Sequence, residues 1–175
     1  MPYTVVEIKT IDQLNQLIWN QYEELNSKRF RSNSIYRGLP NENYHLATSL
    51  HRNCYNKSTI LEQSLLRNFA KYAAIEDESI SNSIWKQLVV GQHHGLPTRL
   101  LDWSYSPLVA LHFATSGDAL TTLGKENAVI WEIDIIEMND RLPLEYKEKL
   151  RTTQAYLLTI DMLQEISTRN GYEAL

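Results

Sequence analysis

The spacing of apolar and polar positions changes along the chain, and each change marks an expected element. Tyr3-Thr4-Val5-Val6-Glu7-Ile8 is rich in β-branched and aromatic residues, which predicts a strand. From Ile11 the period lengthens: Ile11, Leu14, Leu17, Ile18 and Leu25 recur at helical intervals. Thr10 stands three positions before Gln13, the spacing of a capping box, so an amphipathic helix is expected over about 11–25. Ser27 to Asn33 reads as a basic turn around Lys28, Arg29 and Arg31. Ser34 to Leu39, stopped by Pro40, predicts another strand. Tyr44 to Leu50 predicts a short strand or turn. Ser58 to Tyr72 predicts a helix with Ser58 as N-cap and Leu61, Leu65, Leu66 and Phe69 as its apolar stripe; Ile80 to Val90 predicts a further one with Ile84, Trp85 and Leu88 inward.

In the second half, Val90 to Ser104 mixes Gly, His, Pro, Arg and Asp with Leu100, Leu101 and Trp103, and reads as a loop entering a buried strand. Ser106-Pro107 then opens a helix expected at about 107–116 and buried, since Pro suits a first helical position and Ser an N-cap. Gly117 to Asn127 is a polar loop. Ala128 to Ile136 is apolar on both faces and predicts a central strand. Leu144 to Leu150 predicts a helix, Ala155 to Ile160 a strand and Asp161 to Ser167 a last helix. No internal repeat or linker interrupts the chain. The mixture implies one α+β domain over residues 1–175, a mixed or antiparallel central sheet with flanking helices.

Composition narrows the function classes. At 43% hydrophobic and 22% charged, the 175 residues can bury a real core, which excludes a disordered chain. A net charge of −4 excludes nucleic-acid binding driven by bulk charge and leaves a local basic patch open. The single cysteine, Cys54, permits no intrachain disulfide. Nothing near Met1 resembles a signal peptide, and no apolar run approaches the ~20 residues of a membrane span. A cytoplasmic protein with no membrane partner is expected.

Candidate chemistry concentrates in Val90 to Ser104. Either its polar side chains are held for function, or Arg99 and Asp102 form a structural ion pair beneath His93 and His94. Metal binding is disfavoured: neither CxxC nor HxxxH occurs, and neighbouring histidines in a strand point to opposite faces. Ser104 or Ser106 with His94 and Asp102 supplies the residue types of a hydrolase, but GxSxG is missing. No GxxxxGK[ST] loop occurs, which argues against ATP phosphoryl transfer. Nucleotide binding without such a loop fits better. Arg37 and Arg99 carry planar donor forks suited to phosphate, His94 and Thr98 can bond a ribose or an amide, and Trp103 and Tyr36 can stack on a ring. Trp103 and Tyr36 serve equally well as core. Gly38, beside Arg37, would let a ligand approach the backbone.

Tyr36-Arg37-Gly38, the run Gly91 to Trp103 and Ser106 to Ala114 together resemble the FRG domain over about residues 34–137, with Tyr36 in place of the Phe that gives the family its name. A more distant resemblance is to arginine-type ADP-ribosyltransferases, which share the order Arg37 strand, Thr98–Ser104 segment, Ala110–Ala114 helix and Val129–Ile135 strand. These resemblances imply an NAD-binding, ADP-ribosyltransferase-like domain that moves ADP-ribose to a protein or nucleic-acid acceptor, or cleaves NAD, in a toxin or phage-defence setting. They imply that Arg37 contacts the phosphates or ribose, with Gly38, His93, Thr98, Arg99 and Trp103 as further NAD-binding residues, His94 and Thr98 orienting the nicotinamide riboside and Arg99 and Asp102 bracing the site. His94 and Asp102 would be catalytic, and Gln154, matched with Arg151 to a late Arg and Gln of the family pattern, would bond a ribose hydroxyl. Asp102-Trp103-Ser104 replaces the usual Ser-Thr-Ser, and no ExE motif occurs; Glu165 and Glu173 are the remaining candidate acids. Two other classes stand beside this one: a non-catalytic module binding a nucleotide or protein through the same pocket, and a hydrolase or nuclease.

Overall fold

The computed structural model describes residues 3–22, 32–116 and 124–170. Helix α1 (Ile11–Tyr22) precedes strand β1 (Ser34–Leu39), helices α2 (Ser49–Cys54), α3 (Ser58–Ala73), α4 (Ile84–His93) and α5 (Pro107–Thr115) follow, and strand β2 (Val129–Asp134) leads into α6 (Ile135–Asn139), α7 (Leu144–Thr153) and α8 (Ile160–Asn170). The class is α+β, with a small antiparallel sheet. β1 and β2 pair from Ser34↔Asp134 to Leu39↔Val129. Tyr36 also exchanges two backbone hydrogen bonds with Ser104, at 2.7 and 2.9 Å, so the Thr98–Ser104 segment touches the other edge of β1 at one bridge. That segment is otherwise irregular, and the strand expected there does not form.

Helix α5 lies against β1 at very close range, and Gly38 makes this possible. A Cβ on Gly38 would stand 1.8 Å from the carbonyl oxygen of Ala110 and 2.9 Å from the Ala114 nitrogen. The space that the sequence suggested for a ligand is thus filled by helix backbone. The same contact explains why α5 is not the wholly buried helix expected: the small Ala110 and Ala114 are buried, with Pro107 at the helix start, and Leu108, Val109 and Phe113 are exposed. Ser106 makes no side-chain cap; its own N–H donates to Ser104 Oγ at 3.0 Å.

β2 corrects another expectation. Although apolar enough to be central, it is one of two strands among the described residues, with Glu132 and Asp134 exposed. Asp134 ends it by accepting hydrogen bonds from the backbone of Ile136 and Glu137, which starts α6. Residues 3–9 and 155–159 form no strand; Tyr3 instead sets its ring edge-on to Trp131 of β2, 5.4 Å between centroids. Thr48 accepts from the His51 backbone at 3.2 Å and so turns 49–54 into α2 rather than a strand.

The helical half follows its capping chemistry. Gln13 N–H donates to Thr10 Oγ1 at 3.2 Å and Thr10 N–H to Gln13 Oε1 at 3.3 Å, the reciprocal capping box read from the sequence. Helix α3 starts at Ser58 out of a 3-10 turn, with no side-chain cap. Ser83 caps α4, accepting from Lys86 N–H, which leaves Ile80 in a short 3-10 turn before it. Ser83 Oγ also donates to Gln164 Oε1 at 2.8 Å, and Trp85 Nε1 to Ser167 Oγ at 2.9 Å, tying α4 to α8. Leu66 and Leu88 are the most deeply buried apolar side chains where α3 meets α4. The expected basic turn, the end of the first helix and most of the 117–127 loop lie outside the described residues. Among those described, no helix is long and apolar enough to cross a membrane.

Candidate functional site

Arg37 sits in the middle of β1. Strand alternation puts Tyr36 and Gly38 on one face and Arg37 on the other, where its direct cross-strand partner is Trp131. One arm of its guanidinium is anchored: Nη1 donates to the Asp102 backbone carbonyl at 2.6 Å. Its Nε is buried without a hydrogen-bond partner, and so is Trp131 Nε1. Burial lowers the Arg37 pKa, with Arg52 adding to the effect and the Asp102 carboxylate opposing it. Two buried N–H donors therefore stand side by side on one face of the sheet with no acceptor, which is the feature a bound anion or carbonyl would relieve.

The anchor itself is held by a relay of side chains. The Asp102 carboxylate accepts from Gln92 Nε2 at 2.5 Å. Gln92 Oε1 in turn accepts from the Thr98 hydroxyl, and Thr98 Oγ1 accepts from Leu100 N–H at 3.2 Å. Thr98 N–H donates to Ser49 Oγ at 3.2 Å, and the Thr98 carbonyl accepts from Leu50 N–H at 3.2 Å. Thr98 is 0% exposed. It is thus the internal brace for Gln92 and Asp102, a correction to its expected role as a ligand contact. The structure brings Arg37, Asp102, Gln92 and Thr98 into one connected set from two distant parts of the chain.

The other candidates fall elsewhere. Gly91, Gln92 and His93 belong to the last turn of α4, which runs past its expected end at Val90. His94 closes that helix through its backbone N–H, 3.1 Å from the carbonyls of Val90 and Gly91. Both imidazoles are exposed; the His94 ring lies 5.6 Å from that of His93 and 6.4 Å from Phe69 on α3. Neither makes a side-chain hydrogen bond to Arg37, Thr98 or Asp102. Arg99 does not pair with Asp102. Its Nε and Nη2 both donate to Oε2 of Glu62, the former at 2.7 Å, and these bonds raise its pKa against the effect of burial. Trp103 is half-buried between Asp102 and Ser104.

Gln154 ends α7 in the left-handed conformation, φ 52°, and lines a depression of about 440 Å³ with Arg151, Lys147 and Tyr156. Arg37, His94 and Asp102 are not among its walls. Glu165 pairs with Lys149, and Glu173 lies outside the described residues.

Three residues of consequence escaped sequence reasoning: Gln92, Trp131 and Glu62. Gln92 stands in the densest polar run but was overshadowed by the histidines. Trp131 reads as strand core, and its N–H announces nothing. Glu62 did carry a signal, since it precedes Leu66 by four on the inward stripe of α3, where a carboxylate is out of place. Among the described residues, no group of three or more His, Cys, Asp or Glu gathers as a metal would require.

Comparison with known proteins adds one result. The model of a family described as the FRG domain matches residues 32–122, a span containing Arg37, Gln92, Thr98 and Asp102. No curated protein and no solved structure matches the chain.

Proposed function

This chain belongs to the FRG domain family, and on that premise we propose that it binds NAD through the Arg37 face of its sheet as an ADP-ribosyltransferase-like domain. The observation that carries the reading is the pair of buried, unpartnered donors, Arg37 Nε and Trp131 Nε1, opposite each other across β1 and β2. A diphosphate supplies acceptors of the right kind, and a charged acceptor makes the stronger bonds. The chain order also supports it: an arginine strand, the Asp102 segment, α5 and β2 follow one another as in arginine-type ADP-ribosyltransferases.

In this reading the diphosphate lies on Arg37 and Trp131, and the glycosidic bond between ribose C1′ and nicotinamide breaks with its electron pair leaving on the nicotinamide nitrogen. A hydroxyl of a macromolecular acceptor, or water, then bonds to C1′. The Asp102 carboxylate, held in place by Gln92, takes its proton. Positioning of this type contributes several kcal/mol to such reactions. A toxin or phage-defence role follows from the family reading alone.

One observation favours a second reading, a module that binds a nucleotide without turning it over. Neither His94 nor Gln154 joins Arg37, and the Asp102 carboxylate is already engaged by Gln92. Calorimetry with NAD, ADP-ribose and a nucleotide panel, run with an assay for released nicotinamide, tests both. NAD binding that Arg37→Ala weakens more than about tenfold and Trp131→Phe weakens by a comparable factor supports the site. Nicotinamide release lost in Asp102→Asn supports transfer, and binding without release supports the module. Parent-like NAD binding by Arg37→Ala, or none by the parent, removes the reading.

A further inference from the structure

A groove of about 490 Å³ runs between α3 and α4, and its walls include neither Arg37 nor any other member of the Asp102 relay. Its sides are apolar, from Leu66 and Ala70 on one helix and Ile84 and Leu88 on the other. The Glu62–Arg99 pair also lines it, beside Thr59, Gln63 and Gln87. The Glu62 side chain is 2% exposed. Nε and Nη2 of Arg99 both donate to Oε2, and Oε1 is buried with no hydrogen-bond partner. A buried carboxylate oxygen with no donor, on a residue that lines the groove, is an acceptor with capacity for a ligand.

We propose that this groove is a ligand site, separate from the Arg37 face, for a neutral organic molecule with an apolar body and an N–H donor, such as a primary amide, that bonds Glu62 Oε1. Neutrality follows from the charges present. Arg99 already balances Glu62, and Arg67 stands on the same wall. A cationic head would bring a third positive charge to one carboxylate, and an anionic head would be repelled by Oε1 itself. An apolar body fills the space between Leu66 and Leu88 without leaving polar groups of its own unpaired.

Cyclohexanecarboxamide, cyclohexylamine and cyclohexanecarboxylate share a body and differ in the head group. Titrated into the full chain by NMR, the amide is expected to bind and to shift signals of α3 and α4. The carboxylate, which has no donor for Oε1, and the ammonium, which brings a third positive charge, are each expected to bind about tenfold more weakly. Ala70→Phe fills the groove without touching the ion pair and should abolish amide binding. Glu62→Gln, whose fold is checked by circular dichroism, should weaken it about tenfold. Arg37→Ala should leave it unchanged, so that failure here and failure of NAD binding are told apart. Equal binding of the three heads, persistence of amide binding in Ala70→Phe, or no binding at all, as when Oε1 holds only water, overturns the proposal.

Discussion

Arg37 and Arg99 bring the same guanidinium into two different surroundings. Arg99 meets a buried carboxylate, and two of its donors converge on one oxygen of Glu62. Arg37 meets only a backbone carbonyl, keeps a buried Nε without a partner, and lies opposite a tryptophan in the same condition. A charge balanced inside the protein stabilises the fold. A desolvated one with donors left over weakens it slightly and retains capacity for something outside. Residue type alone therefore says little about which arginine binds a ligand; the unspent donors say more.

The comparison can be broken at several points. The largest effect is expected from Gly38→Ala. The added methyl collides with backbone at 1.8 Å, so β1 and α5 must separate and the Arg37 face loses its frame. A loss of about 3 kcal/mol or more in urea unfolding is expected. Gly95→Ala is the control: nothing stands within 4 Å of its Cβ, and only the left-handed φ of 84° is strained, for about 1 kcal/mol.

Next comes Arg99→Met against Arg37→Met. The first strands the buried Glu62 carboxylate and should cost about 3 kcal/mol, the low end for a buried pair because the Arg99 side chain is 38% exposed. The second removes a partly desolvated cation that has one buried donor unpaired, and should change stability by less than about 1 kcal/mol while weakening nucleotide binding more than about tenfold. Similar losses in both, measured by denaturant midpoints, would erase the distinction between the two arginines.

Thr98→Val keeps the volume of the buried side chain and removes the hydroxyl on which Gln92 rests. About 1–2 kcal/mol of stability should go, with a drop in affinity at the Arg37 site that Arg37→Met does not add to. Additive losses would show that the relay does not connect the two residues.

The smallest effect is expected at Asp77, which caps the 3-10 turn before α4. The Ser79 side chain first, and then the Ser79 backbone N–H that donates to its carboxylate at 2.9 Å, hold its pKa below the ordinary value. A lowered folded-state pKa contributes stability above the usual carboxylate range, and the contribution disappears as pH falls through the lowered value. Asp77→Asn should have a slightly reduced Tm at neutral pH, with the gap to the parent closing in acid.

Much of the fold was legible because it rests on local chemistry. The capping box at Thr10–Gln13, Pro107 at the head of α5 and the β-branched run of β2 act within a few residues of themselves. The errors came where two segments had to meet. Nothing in Ala128 to Ile136 tells how many neighbours the strand will have, so its apolar character looked central although among the described residues it pairs with β1 alone. Thr48 was a cap whose helix was too short to display a period. The Arg37 set was visible as a pair of motifs, but not as a relay.

From the residues alone followed the class, the helices with strong caps, the strand that carries Arg37 and the two motifs of the candidate site. Short-range rules determine all of these, through periodicity, capping and turn chemistry. Only the tertiary structure decided that Arg99 turns to Glu62, that Thr98 is a brace, and that Gly38 makes room for a helix. Those outcomes depend on which donors and acceptors, far apart along the chain, are buried together, and burial is a property of the packed whole.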